Sequence, residues 1–173
     1  MTSPINLISQ LMRVIFMRGS PERVLYDRWL LRLGLLFAVL LAATAQSVLH
    51  QDHVVFVLLR VFAELVVFML WMTYLTSRVG RLRLAQAMMF FFWISAFADL
   101  VLALLGLVGL DERWRDILAI GIGAIAAYGA ANTLSWALRR KLSYAGAQVL
   151  GYMLLTWALD AAFRALYNLA AFG

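Results

Sequence analysis

Two pairs of opposite charges stand four residues apart inside apolar sequence: Arg60 and Glu64 in LLRVFAELVV, and Asp160 and Arg164 in WALDAAFRAL. A third acid, Asp99, interrupts the apolar run ISAFADLVLAL. Carboxylates and guanidiniums held away from water can relay protons, hold an ion or a polar headgroup, or simply bind one another. On a helix, residues four apart share a face, so each pair can close locally. Asp99 is then the odd acid, left to share an arginine or to carry its own proton.

Other chemistry is poorly provided for. Acid–base catalysis on a lipid substrate would fall to Asp99, Glu64 or Asp160. The chain has no HExxH, no GxSxG and no phosphate-cradling glycine loop, so no catalytic residue is assigned and no enzyme is expected. Without cysteine there is no disulfide, no thiolate metal site and no thiol nucleophile. His50, Asp52 and His53 are metal-ligand types, but three side chains of one short loop converge poorly on a single ion. They read as a polar turn, and neither a metal nor a cofactor is expected. The basic loops lack the aromatic interleaving of a nucleic-acid binder.

The elements that carry these charges are apolar throughout. Of the 173 residues, 65% are hydrophobic and 14% charged, an excess too large for the core of a soluble domain. Segments near 30–49, 54–76, 84–110, 117–137 and 146–170 are each long enough to cross a hydrocarbon layer of about 30 Å. The connectors HQDH, SRVGRLR, DERWRD and RRKLSYAG leave no room for a linker, so residues 20–173 form one bundle of five transmembrane helices. The expected fold is an all-α polytopic membrane bundle.

Charge sets its orientation. Arg13, Arg18, Arg23, Arg28 and Arg32 precede the first span, Arg78, Arg81 and Arg83 follow the second, and Arg139, Arg140 and Lys141 follow the fourth. The opposite side has only Arg113 and Arg115, offset by Asp111, Glu112 and Asp116. The positive-inside rule then places the N-terminus in the cytoplasm of a bacterial inner membrane and the C-terminus outside. Trp29, Trp71, Tyr74, Trp136 and Tyr144 fall near the inner interface and Tyr167 near the outer, as an aromatic belt would. At 1.5 Å per residue, Arg60 lies roughly 9 Å below the outer edge and Glu64 roughly 15 Å. The fifth span runs the other way, yet it too sets its arginine outward of its acid. This common depth predicts contact among the second, third and fifth helices. Either the contact is glue, or it lines a polar cavity open to the outside.

Two further segments have their own logic. In SPINLISQLMRVIFMRG, Ser3 and Pro4 form a helix start, Ile5, Ile8, Met12 and Ile15 an apolar stripe, and Gly19 a stop. Residues 1–19 are therefore expected to be an amphipathic helix on the cytoplasmic leaflet, or one packed on the bundle or a partner. Ala43-Thr44-Ala45 resembles a signal-peptide cleavage site, but the charged region before it is far too long. In the fourth span, Ala119, Gly123, Ala127 and Ala131 repeat every four residues, a small-residue ridge that lets helix backbones approach. Intramolecular packing is favoured for it over homo-oligomer contact. Asn132 and Ser135 can add interhelical hydrogen bonds. Phe90-Phe91-Phe92-Trp93 covers every side of its helix, which suits lipid contact and packing.

The stretch FMRGSPERVLYDRWLL resembles the approach to the first span in the Yip1-like membrane proteins of bacteria, and SRVGRLRLAQAMMFFFWISAFADLVLAL is similar to their third-span region. The chain lacks the Asp-Leu-Tyr-Gly-Pro pattern of the eukaryotic members; Val24-Leu25-Tyr26-Asp27 is a loose echo. The resemblance implies a five-span, non-enzymatic scaffold or accessory role and transfers no functional residue. The expected function is accordingly to organise membrane components, with anionic lipid headgroups at the cytoplasmic face and other membrane proteins or a second copy as partners. The alternative is a small transporter or lipid-handling protein working through the outward-facing cavity.

Overall fold

In a computed structural model, residues 27–50, 54–76, 79–109 and 111–172 are described, together with Ser9 and Arg13. Five α-helices follow one another: α1 Arg28–His50, α2 Val54–Thr76, α3 Arg81–Leu107, α4 Glu112–Leu138 and α5 Leu142–Phe172. Each is long and apolar enough to cross a membrane, which makes the chain a multi-pass, all-α membrane protein. Among the described residues there is no strand. Ser9 and Arg13 are helical and exposed; the rest of the expected amphipathic segment, 1–19, lies outside the described residues.

α2 spans the expected residues 54–76, whereas the other four helices start earlier than hydropathy alone suggests. DERWRD, expected as a connector, is mostly the first turn of α4, with Asp111 at its N-cap. LSYAG likewise opens α5 rather than closing a loop. Apolar windows miss polar first turns, because backbone hydrogen bonding does not require the side chains to be lipophilic. The true turns are short. Gly109, at φ +67°, ends the α3 region in a conformation that costs other residues a Cβ clash. Arg139, at φ 52°, takes the left-handed cap position after α4. There the Arg140 amide donates to the Ser135 carbonyl at 3.1 Å, and Ser135 Oγ donates to the Arg140 carbonyl at 2.6 Å.

The most extensive packing joins α1 to α3. It uses small residues of α1: Gly34 and Ala38 are buried against the aromatic-rich face of α3, and Ala45 is buried further along the helix. A Cβ built on Gly34 would stand 2.9 Å from Trp93 Nε1, so any larger residue here must displace the indole. Trp93 Nε1 in turn donates to the Leu30 carbonyl at 3.1 Å. Phe90 and Phe92 are buried in the same layer, so the FFFW run is packing surface more than lipid surface. A second layer joins α2, α4 and α5 through Leu75, Ala131, Leu134, Ala145 and Val149. Arg83 stacks over the Trp136 ring at 5.7 Å, closing the α3 and α4 ends that carry the basic loops.

Candidate functional site

Arg60, Glu64, Phe68 and Trp71 recur on one face of α2, and Tyr152, Asp160 and Phe163 on one face of α5. The antiparallel helices bring the two stripes together. Phe56 meets Phe163 edge-on at 6.1 Å, and Phe68 meets Tyr152 at 5.9 Å. Trp71 and Tyr152 stack, with ring centroids 4.8 Å apart. Trp71, expected in the interfacial belt, is thus partly buried between helices, whereas Trp29 and Tyr74 are largely exposed.

Between these rings sit the charges. Arg60 Nε donates to Glu64 Oε1 at 3.2 Å, the expected local pair. Its Nη1 lies 2.8 Å from Asp160 Oδ1, an ion pair between helices that lacks hydrogen-bond alignment. Asp160 also accepts from Arg164 Nε, at 3.2 Å to Oδ2. The four groups make a continuous alternating chain from Glu64 to Arg164. Arg60 is its buried centre, with 11% of its side chain exposed against 47% for Arg164. A charge buried this far is tolerable only with partners, and Arg60 has two.

Asp99 stands apart from this chain. Its Oδ2 accepts from Ser95 Oγ at 3.2 Å, one turn earlier on α3. Among the described residues it forms no ion pair with either arginine. The expected meeting of three helices is therefore uneven: α2 and α5 are joined directly, whereas α3 touches α2 only lightly. α3 packs most extensively on α1, and it meets α2 through Phe91 and Phe92 against Phe68, not through Asp99.

A cavity of about 140 Å³ is bordered by Glu64 and by Ser95, the hydrogen-bond partner of Asp99. Its walls come from α1, α2 and α3, with Tyr152 contributed by α5, and they are mostly apolar. Glu64, Ser95 and Tyr152 are its polar groups, while Phe68, Phe91 and Phe92 give it aromatic sides. Ser95 and Tyr152 were not legible as site residues beforehand. The available signal was helical spacing: Ser95 is one turn from Asp99, and Tyr152 two turns from Asp160.

The small-residue ridge of α4 divides in two. Ala131 is buried and Ala127 partly buried in the α2–α4–α5 layer. Ala119 is partly exposed, and a Cβ on Gly123 would meet nothing within 4 Å. Asp52 and His53 lie outside the described residues, as does the side chain of His50. No family model, curated protein or solved structure matches the chain.

Proposed function

We propose that this protein is a non-enzymatic scaffold or accessory subunit of a bacterial inner membrane, with its N-terminus in the cytoplasm. The observation that carries this reading is the closure of Arg60, Glu64, Asp160 and Arg164 on one another. Arg60 is held by acids from both α2 and α5. Groups engaged in this way hold helices in place, and such polar contacts are a recognised means of fixing membrane bundles. Much of the outer surface of α5, including Leu150, Leu154, Leu155 and Trp157, is exposed and apolar, which suits contact with lipid or with another membrane helix. The basic turn at Arg139, Arg140 and Lys141 suits anionic headgroups. The N-terminal amphipathic segment would add a surface anchor, and the likeness to Yip1-like proteins points the same way.

Mild-detergent purification after in-cell crosslinking tests this function. The wild type should bring down defined membrane proteins, and Asp160→Asn should reduce their recovery together with thermal stability. A variant that folds and assembles normally, yet abolishes an ion or lipid flux in proteoliposomes, would overturn the scaffold reading in favour of a transporter.

A further inference from the structure

We infer that the cavity between α1, α2 and α3 is a binding site for a lipophilic organic cation that arrives from the bilayer. The inference is independent of the scaffold reading. Three features carry it.

The first is access. An apolar groove lined by Val55, Leu58, Leu59 and Phe62 runs along the outer face of α2 against α1. Val39, Val61 and Leu65 line both this groove and the cavity that contains Glu64. A hydrophobic molecule lying in the groove is therefore one side-chain layer from a carboxylate.

The second is the lining. Phe68 sits 5.7 Å from Phe91, 5.3 Å from Phe92 and 5.9 Å from Tyr152, ring centroid to ring centroid. All four rings border the cavity. Aromatic faces around a small space are the usual receptor for quaternary ammonium groups, since each ring presents negative potential. The space is also the right size for such a head: apolar cavities of about 150 Å³ accept a benzene ring.

The third is charge. Three carboxylates stand in these spans against two guanidiniums: Glu64 and Asp160 share Arg60, Asp160 also holds Arg164, and Asp99 has Ser95 as its partner. Arg60 is shared between Glu64 Oε1 and Asp160, so among the described residues no ion pair reaches Glu64 Oε2, and Glu64 is the one carboxylate lining the cavity. A cation bound there gives Glu64 a second positive partner beside the shared Arg60. A neutral lipid would gain only the groove, and an anionic one would face like charge.

The probe is trimethylammonium-diphenylhexatriene, whose head matches the cavity and whose polyene matches the groove; neutral diphenylhexatriene is its control. With the protein in phosphatidylcholine nanodiscs, and Trp29, Trp114, Trp136 and Trp157 replaced by phenylalanine, energy transfer from Trp71 and Trp93 reports binding. The cation should saturate at about tenfold lower concentration than the neutral probe, and phenyltrimethylammonium should compete it off. Glu64→Gln should raise the half-saturation point by about tenfold, and Phe91→Leu, which keeps every charge, should raise it several-fold. Equal half-saturation of the two probes on the wild type overturns the inference, whatever the variants do. So does a folded Glu64→Gln protein that binds the cation unchanged.

Discussion

Arg60 and Asp160 form an ion pair, Nη1 to Oδ1 at 2.8 Å, between two helices that α3 and α4 separate in the chain. Neither residue would be comfortable in a bilayer alone. Together with Glu64 they let α2 and α5 meet through polar contacts where small-residue packing is absent.

If that pair holds the helices, its two members must be energetically coupled. Arg60→Gln and Asp160→Asn should each destabilise the fold by about 1–3 kcal/mol. The double variant should cost less than the sum, with a coupling of about 0.5–1.7 kcal/mol. Unfolding in mixed micelles, followed by circular dichroism, measures it. Additive losses would mean that the contact does not form.

Glycine should matter at one helix face and not at another. Gly34→Ala places a methyl 2.9 Å from the Trp93 indole, which is tethered to the Leu30 carbonyl. The expected loss is about 1–3 kcal/mol, with altered tryptophan fluorescence. Gly123→Ala meets open space and should change stability by less than about 0.5 kcal/mol. Equal sensitivity at the two positions would contradict the α1–α3 packing.

The stack of Trp71 on Tyr152 predicts crosslinking. The chain has no cysteine, so Trp71→Cys with Tyr152→Cys is a clean pair for a short bismaleimide. An intramolecular product should form rapidly in membranes. Leu70→Cys with Leu154→Cys, both at exposed positions, should give little. The reverse order of yields would misplace α5.

Orientation can be read with the same cysteine-free background. A membrane-impermeant maleimide should label Asp111→Cys in intact spheroplasts, and Lys141→Cys only after permeabilisation. Both positions are exposed at helix ends, so access depends on the side of the membrane. Labelling of Lys141→Cys alone in intact cells would invert the topology.

The sequence by itself determined five spans and their connectivity, because hydropathy and length are properties of each segment alone. It also determined the pairs Arg60–Glu64 and Asp160–Arg164, since four-residue spacing on a helix is enough to bring side chains together. Which faces meet was another matter. The ridge from Ala119 to Ala131 looked like the close-packing surface, yet the tightest approach falls at Gly34 and Ala38 of α1. Trp71 reads as interfacial and stacks between helices; Asp160, paired locally with Arg164, is also shared with Arg60, the α2–α5 contact that the common depth of the charges predicts. In water, a buried face is marked by its polarity. In lipid the surroundings are as apolar as the core, so that mark is erased, and shape complementarity between whole helices selects the partners.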